Sequence, residues 1–308
     1  MVKVSAQKIA ETLFSRLWEA YLKRVPYAQV YSDMVDSKDG QVVHDHIAFR
    51  TINTHTGEQP GGIQAIQHIL ECFEYKAAEN YVFPKKKLRA THFENNKSTL
   101  PKIFVSQLEV EVLPEWAQKM IKDNVKETPY LLSDTCIELL NKLKKDGHFT
   151  AEAAEVLIRD LLNYFHRPWK IPKKETVLKL NDISQYAAWV MLHGNSVNHF
   201  AAFINEQGVS EWPDLEATCQ GLVKAGIPMN DKIEGEKGSK LRQAATVAVK
   251  EEVEVRTNGG TEKLEWTYAY FELTQRNYIE ENGKQKLFSG FLGNQARHLF
   301  DMTVTHDN

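Results

Sequence analysis

The chain has 308 residues, of which 42% are hydrophobic and 26% charged, and its formal net charge is −3 at pH 7. This composition is typical of a globular protein that buries a sizeable core, and it excludes a disordered chain. A near-neutral charge supplies no basic field for nucleic acid. The three cysteines form no CxxC pair, and no apolar run is long enough to span a membrane. We therefore expect a cytoplasmic protein with no nucleic-acid and no membrane partner.

Hydrophobic periodicity assigns the first third of the chain to a helix and one mixed α/β module. Helical spacing of apolar residues marks an N-terminal segment, and the module that follows alternates between strand and helix patterns. The N-terminal segment, residues 1–30, is predicted to contain a helix over 5–24. The first module, residues 40–112, is predicted to contain a strand over 42–52, a helix ending near Phe73, and strands near 81–83, 88–93 and 103–112. The module thus has the order β-α-β-β-β.

The rest of the chain predicts a helical insertion followed by a second module of the same kind. Three stretches of helical periodicity fill residues 113–168. The second module, over 187–300, is predicted to contain a strand over 190–204, a helix over 213–225, and strands over 241–255 and 265–272, with a hairpin turn at 258–260. Both modules are expected to belong to a single metalloenzyme domain spanning residues 1–308.

Two short stretches repeat one pattern at a fixed separation. Residues 45–50 and 198–203 each begin with an acid or amide, followed by a histidine, a bulky apolar residue and an alanine. The two histidines, His46 and His199, are 199 − 46 = 153 residues apart. A second repeat has the same offset: the Lys-Leu-Arg sequence that starts at Lys87 recurs 153 residues later. Two matches at one offset indicate an ancestral duplication of the module.

The repeated histidines predict a metal site. Pseudo-twofold packing of the modules would bring His46 and His199 from opposite first strands to one concave surface, and Glu272 on a later strand would supply a third ligand. Two imidazoles and one carboxylate bind a divalent ion on one side only, which is the facial triad of non-haem iron(II) oxygenases. Arg50 follows His46 by four residues, so strand alternation directs it into the same cavity, where its guanidinium would bind a substrate carboxylate.

Four stretches of the chain together resemble the 2-oxoadipate dioxygenase/decarboxylase family. They are residues 46–50, the pair at 198–199, residues 238–246 and residues 271–276. The resemblance implies an α+β fold in which two duplicated βαβββ modules form a vicinal-oxygen-chelate-like half-open barrel, similar to hydroxyphenylpyruvate dioxygenase, with a helical insertion and an N-terminal helix.

The resemblance also implies a chemistry. It assigns Fe(2+) to His46, His199 and Glu272, and the binding of a 2-oxo acid to Arg50. The implied substrates are a 2-oxo dicarboxylic acid and O2, and in the family 2-oxoadipate is converted to 2-hydroxyglutarate with release of CO2. A shorter chain than the characterised bacterial members leaves the exact 2-oxo acid open, and the sequence leaves the oligomeric state open as well.

Several residues keep alternative interpretations. His44 competes with His46 as a ligand, because alternation places both on one face, and Gln107 or Glu109 could be the first module's counterpart of Glu272. The weaker candidates for the cavity wall or its mouth are Tyr268, Tyr270, Lys240, Arg242, Arg276 and the glycine-containing segment 288–293.

Other functions could use the same three ligands. A metal-dependent hydrolase, a glyoxalase-like isomerase or lyase, and a non-catalytic metal-binding protein remain alternatives to the oxygenase.

Overall fold

A computed structural model of the protein describes residues 3–56, 61–97, 99–130, 132–293 and 300–303. The helices are α1 Ala6–Arg24, α2 Pro26–Asp36, α3 Gly62–Glu71, α4 Glu115–Val125, α5 Asp134–Asp146, α6 Ala151–Tyr164, α7 Lys174–Asn181, α8 Gln185–His193 and α9 Leu215–Lys224. In this described part of the chain, no helix combines the length and apolar character that crossing a membrane requires.

The strands alternate with these helices along the chain. They are β1 Lys3–Ser5, β2 His44–Ile52, β3 Lys76–Phe83, β4 Leu88–Glu94, β5 Lys102–Leu108, β6 His148–Thr150, β7 Val197–Phe203, β8 Leu241–Ala245, β9 Lys250–Thr257, β10 Gly260–Thr267, β11 Glu272–Arg276, β12 Tyr278–Glu281 and β13 Lys284–Leu287. Strands β1 and β6, β9 and β10, and β12 and β13 form separate two-stranded pairs.

Among the described residues, seven strands form one curled half-barrel sheet in the order β3-β4-β5-β2-β7-β11-β8. The two first strands of the modules, β2 and β7, pair antiparallel at its centre, and Ile47 lies opposite Phe200. Each first strand also pairs in parallel with a later strand of its own module, β2 with β5 and β7 with β11. The two halves are thus related by a pseudo-twofold axis at the Ile47–Phe200 pair, and the predicted duplicated half-barrel is confirmed.

Helix α1 covers the outer face of the central strands. Aromatic rings of Trp18 and Tyr21 lie 5.0 and 5.1 Å from the ring of Phe200, which points away from the inner face because it neighbours His199 on β7. Burying these large rings on one face of the sheet contributes much of the apolar area removed from water. The opposite, inner face of the central strands is therefore free to line a cavity.

The predicted strand over 190–204 begins too early. Residues Gln185–His193 form helix α8, and the strand starts only at Val197. Every described side chain from Tyr186 to His193 is buried, so the helix is apolar on all sides and shows no 3.6-residue pattern in the sequence. A continuous apolar run cannot distinguish a buried helix from a buried strand.

Three other strand predictions had wrong boundaries. The predicted strand over 103–112 ends at Leu108, where a 3-10 turn follows. In place of the predicted strand over 241–255, the structure has two strands, β8 and β9. The predicted strand over 265–272 wrongly combined the end of β10 with the first residue of β11. The β9–β10 hairpin leaves the main sheet between these strands, and this departure depends on tertiary pairing that local alternation does not encode.

Candidate metal centre

The register of three strands places His46, His199 and Glu272 on one face of the sheet. His46 and Glu272 both lie beside Ala201, from opposite sides of β7, and His199 lies beside Ala48 on β2. Directly paired residues of neighbouring strands point to the same face. The antiparallel pairing of β2 with β7 therefore converts the sequence duplication into two histidines that face one another diagonally.

The three side chains present their ligand atoms to one point. The Nε2 atoms of His46 and His199 are 3.2 Å apart, and Glu272 Oε1 and Oε2 lie 3.5 Å from His46 Nε2 and 3.6 Å from His199 Nε2, respectively. All three side chains are buried. Ligands held about 2.1 Å from one metal ion at right angles are separated by about 3.0 Å, so the spacing suits a divalent cation.

Glu272 is positioned so that one of its oxygens is available to a cation. Its Oε1 accepts hydrogen bonds from Gln243 Nε2 at 2.6 Å and from Thr274 Oγ1 at 2.9 Å. Its Oε2 is buried and has no hydrogen-bond partner among the described residues. Burial raises the pKa of this carboxyl group, although nearby His46 opposes the shift. A buried acceptor without a partner is unfavourable, and a bound cation would satisfy it.

A β-bulge precedes each histidine. His44 pairs with Ala202 and His46 with Ala201, so Asp45 is the extra residue on β2. Likewise, Ala48 pairs with His199 and Phe49 with Val197, which makes Asn198 the extra residue on β7. A bulge redirects the side chains beside it, and here it brings both extra residues next to the neighbouring imidazole ring.

The bulged residues orient the two imidazole rings. Nδ1 of His46 lies 2.8 Å from Asp45 Oδ2, and Nδ1 of His199 lies 3.1 Å from Asn198 Oδ1. Each oxygen accepts a hydrogen bond from a protonated Nδ1, which leaves the Nε2 lone pair for a metal. Burial lowers the pKa of His199 well below its usual value, so that this ring stays neutral.

Asp45 is held in turn by Arg276. Nε and Nη2 of Arg276 donate to the two Asp45 oxygens at 2.6 and 2.8 Å, and both side chains are buried. Burial alone would raise the pKa of Asp45, but the charge and hydrogen bonds of Arg276 lower it well below its usual range. Asp45 is therefore an ionised partner for His46. Arg276, which the sequence proposed for the cavity wall or its mouth, is outside the described lining of the pocket and pairs with this buried acid.

Arg50 lies on the same pocket as the two candidate histidine ligands. The pocket is bordered by His46, Ala48, Phe49, Arg50, Phe104, Ser106, Asn198, His199, Tyr270, Phe291 and Phe300. Arg50 is fully buried, its Nη1 donates to Thr303 Oγ1 at 2.8 Å, and its Cζ lies 4.9 Å from the centre of the Trp189 ring. The sequence therefore placed Arg50 and His46 in one cavity, and the structure does the same.

The pocket is narrow. Its volume of about 20 Å³ holds one or two water molecules. The rings of Phe291 and His46 are 4.9 Å apart, and Phe291 also lies 5.1 Å from the ring of Phe104. A ligand larger than a few atoms must displace these aromatic side chains.

The rival ligand His44 faces the opposite side of the sheet. Its ring packs 4.6 Å from Trp18 and 4.9 Å from Phe200, and burial lowers its pKa to about 4. The prediction that His44 shares a face with His46 was wrong, because the bulge at Asp45 breaks the alternation between them.

The first module's counterpart of Glu272 is Phe104. Glu272 pairs with Ala201, and the equivalent residue in the first module, Ala48, pairs with Phe104. The prediction of Gln107 or Glu109 was therefore wrong. Gln107 instead accepts a hydrogen bond from the Ile63 amide at the start of α3 and donates one to Glu109.

The remaining candidates divide between the pocket wall and its surroundings. Tyr270 stacks on His199 with ring centres 4.6 Å apart. Tyr268 donates to the Val197 carbonyl and does not border the pocket. Lys240 and Arg242 are also outside the described lining, since Lys240 lies over the ring of Phe288 and Arg242 pairs with Glu216.

Sequence reasoning missed the residues that orient the ligands. Asn198, Gln243, Thr274 and Ser106 received no role, although each contacts a ligand or borders the pocket. One signal was present: the acid or amide before each histidine recurs with the histidine at the same offset. Gln243 carried no such signal, because its contact with Glu272 depends on the pairing of β8 with β11. Thr274 also carried none, although it lies two residues beyond Glu272 on the same strand.

The seven-stranded half-barrel formed by the two modules has a vicinal-oxygen-chelate-like fold, and it carries a His/His/Glu group on its inner face. A structure from Ralstonia eutropha JMP134 that is assigned to the glyoxalase superfamily shares this fold, with a TM-score of 0.84 and 24% identity over 94% of this chain and 87% of that chain. The chain belongs to the 2-oxoadipate dioxygenase/decarboxylase family, whose model matches residues 13–306.

Two comparisons with rice illustrate the likeness. The 2-oxoadipate dioxygenase/decarboxylase of Oryza sativa subsp. japonica is 28% identical over 205 residues, which are 63% of this chain and 49% of that protein. The match thus spans about half the length of this relative. The crystal structure of hydroxyglutarate synthase in complex with 2-oxoadipate from Oryza sativa has a TM-score of 0.76 at 21% identity, covering 97% of this chain and 93% of that chain.

Proposed function

We propose that this protein is an iron(II)-dependent dioxygenase/decarboxylase of a 2-oxo dicarboxylic acid, with 2-oxoadipate as the first substrate to test. The observation that carries the proposal is that His46 and His199, which form a buried cluster with Glu272, border one pocket together with Arg50. Membership of the family and the 2-oxoadipate bound to the rice hydroxyglutarate synthase support this choice of substrate.

His46, His199 and Glu272 would hold the iron. Two histidines and one carboxylate form the ligand set typical of non-haem iron(II) oxygenases, which leaves positions on the metal for other molecules. When bound, the iron supplies the oxygen chemistry and a Lewis acid for the 2-oxo acid group. The residues of the chain bind, orient and desolvate the substrate.

Arg50 neutralises a carboxylate of the substrate. Its guanidinium is buried, permanently charged and held by Thr303 and by the rings of Trp189 and Tyr186. A charged hydrogen bond in a water-poor site is stronger than the same bond in water. The surrounding phenylalanines and Tyr270 exclude water and so protect the reaction from side products.

The proposed reaction balances as one 2-oxoadipate and one O2 giving one 2-hydroxyglutarate and one CO2. The bond between C1 and C2 of the substrate breaks, and C1 leaves as CO2. C2 becomes the new carboxylate with one atom of O2, and C3 receives the other atom as a hydroxyl group. The 2-oxo carbon and C3 are the oxidised atoms, and O2 is reduced.

The test is oxygen uptake by the anaerobically purified, iron(II)-loaded protein on addition of 2-oxoadipate. We expect equal amounts of O2 consumed, CO2 released and 2-hydroxyglutarate formed, and no turnover by the His199→Ala protein. Isomerisation or hydrolysis without O2 would contradict the proposal and favour a glyoxalase-like or hydrolytic use of the site. Metal binding without turnover of any 2-oxo dicarboxylic acid would favour a non-catalytic protein.

A further inference from the structure

The two residues that orient the metal-ligating histidines are chemically different. Asp45 and Asn198 occupy equivalent bulges, 153 residues apart, and each contacts Nδ1 of the following histidine. An aspartate and an asparagine have nearly the same shape, but only the asparagine carries an N–H donor. The duplication therefore provides an internal comparison of the two side chains.

Both side-chain oxygens of Asp45 already accept hydrogen bonds from the protein. Its Oδ2 faces both His46 and Arg276, and its Oδ1 accepts from Nε of Arg276 at 2.6 Å. Asp45 is also absent from the described lining of the pocket. Its role is confined to holding His46.

Only one of the two polar atoms of the Asn198 side chain has a hydrogen-bond partner in the described part of the chain. Its Oδ1 faces Nδ1 of His199, and because that nitrogen must carry a proton when Nε2 binds a metal, Nδ2 must point elsewhere. The side chain borders the pocket and is only 3% exposed, and its Nδ2 has no hydrogen-bond partner in the described part of the chain. Buried donors in folded proteins are almost always paired, so a donor of this kind at a pocket indicates a ligand acceptor.

We propose that Asn198 binds the substrate directly, donating a hydrogen bond from Nδ2 to an oxygen of the 2-oxo acid while its Oδ1 orients His199. The inference rests on the proposed function, since the pocket then receives an anionic ligand beside the metal. Arg50 and the Asn198 amide are both donors on the pocket, and together they complement a molecule that carries only oxygen acceptors. Asn198 thus couples the geometry of one metal ligand to the position of the substrate.

A reciprocal pair of isosteric substitutions tests this role. Asn198→Asp keeps the acceptor for His199 and replaces the donor with a negative oxygen, whereas Asp45→Asn weakens the partner of His46 and Arg276 without changing the pocket lining. Isothermal titration calorimetry under anoxia measures the Kd of Co²⁺ for each metal-free protein and the Kd of 2-oxoadipate for each Co²⁺-loaded protein. Circular dichroism of each variant checks that it folds.

For Asn198→Asp we expect Co²⁺ affinity within a fewfold of the unaltered protein and 2-oxoadipate binding about 100-fold weaker, because a charge-assisted hydrogen bond is replaced by repulsion. For Asp45→Asn we expect the opposite result. Co²⁺ should bind about 10- to 100-fold more weakly, whereas the affinity of the Co²⁺-loaded protein for 2-oxoadipate should stay within a fewfold of the unaltered protein. Asn198→Ser, which shortens the donor, is expected to bind 2-oxoadipate more tightly than Asn198→Asp.

Two results would overturn the inference. One is binding of 2-oxoadipate by Asn198→Asp with unaltered affinity, and the other is a loss of Co²⁺ affinity that matches the loss of 2-oxoadipate affinity. A third outcome separates the two proposals. If Asn198→Asp loses affinity for 2-oxoadipate but not for Co²⁺, and the unaltered protein binds 2-oxoadipate without consuming O2, the proposed reaction fails and the role of Asn198 stands. Failure of the unaltered protein to bind 2-oxoadipate at all overturns both.

Discussion

At the scale of single residues, each candidate metal ligand has a further polar atom that already contacts a neighbouring side chain. Oε1 of Glu272 accepts two hydrogen bonds, and Nδ1 of each histidine faces a bulged neighbour. Such contacts fix the rotamer and the tautomer before any metal binds, which reduces the cost of binding. The residues around the ligands should therefore influence metal affinity without touching the metal.

Replacing Gln243 with leucine should weaken metal binding. The change removes the 2.6 Å hydrogen bond to Glu272 Oε1 while keeping most of the side-chain volume, so the carboxylate is less constrained. We expect Co²⁺ affinity to fall about 10- to 100-fold, the range typical of such partners. Gln118→Leu is a matched control, because Gln118 caps backbone carbonyls near α4, far along the chain from every ligand. Equal affinities of Gln243→Leu and the control would contradict the prediction.

Arg50→Ala should separate substrate binding from metal binding. Removing the guanidinium should weaken 2-oxoadipate binding to the metal-loaded protein by about 100-fold, since a buried carboxylate loses its charged partner. Arg50→Lys should recover only part of this loss, because an ammonium group does not reproduce the planar fork. Anaerobic calorimetry with Co²⁺ and then 2-oxoadipate measures both affinities. A loss of Co²⁺ binding in Arg50→Ala would instead show that Arg50 supports the metal ligands.

At the scale of secondary-structure elements, Arg276 joins three parts of the chain. From β11 it contacts Asp45 on β2, and its Nη1 donates to the carbonyls of Phe288 and Gly290 at 3.2 and 2.7 Å. Its Cζ also lies 5.1 Å from the ring of Phe291, which borders the pocket. One guanidinium therefore supports both the orientation of a candidate metal ligand, through Asp45, and the position of the pocket wall.

Substituting Arg276 should expose the cost of a buried, unpaired carboxylate. Arg276→Met should lower the free energy of unfolding by about 3–5 kcal/mol, because Asp45 then keeps its charge without a partner. The double variant Asp45→Asn/Arg276→Met should be more stable than Arg276→Met alone, since the uncompensated charge is gone. Urea unfolding measures both. Arg16→Met is the control, because Arg16 pairs with Glu155 at the surface and such pairs contribute about 0–1 kcal/mol.

The strands that carry the ligands were predictable only in part. Alternation identified the strand of His46, and the repeat of its pattern at a fixed offset identified the stretch that carries His199. The bulges at Asp45 and Asn198 were not predictable, since a bulge is defined by the partner strand. For the same reason His44 was placed on the wrong face, and Glu272 was placed at the end of a strand that it begins.

At the scale of the whole molecule, the duplication explains why so few residues were enough to propose a candidate site. A pseudo-twofold axis at the Ile47–Phe200 pair makes any residue near it appear twice on the same face, so a repeated histidine is enough to indicate a shared site. The two halves have diverged around that axis. Glu272 in the second module corresponds to Phe104 in the first, so one half supplies the carboxylate and the other an apolar wall.

The core also contains histidines that do not belong to the site, and these predict acid sensitivity. His193 is buried between Trp189 and Tyr268, with ring centres 4.8 and 4.9 Å away. Burial, helped by the charge of Arg24, lowers the pKa of His193 well below its usual value. The folded protein thus keeps this ring neutral, whereas the unfolded chain binds a proton as the pH falls below about 6.5.

Stability should therefore decrease on the acid side of pH 6.5. At these pH values the unfolded chain binds a proton at His193 that the folded protein does not bind. Through this residue alone, the free energy of unfolding should therefore fall by about 2 kcal/mol between pH 7 and pH 5. His193→Phe keeps a ring between Trp189 and Tyr268 and removes the titration, so its stability should vary less with pH over this interval, whatever its value at pH 7. His68→Gln alters an exposed histidine and should leave the pH dependence unchanged. Urea unfolding at several pH values measures the slopes, and parallel curves for His193→Phe and the unaltered protein would show that His193 accepts a proton in the folded state.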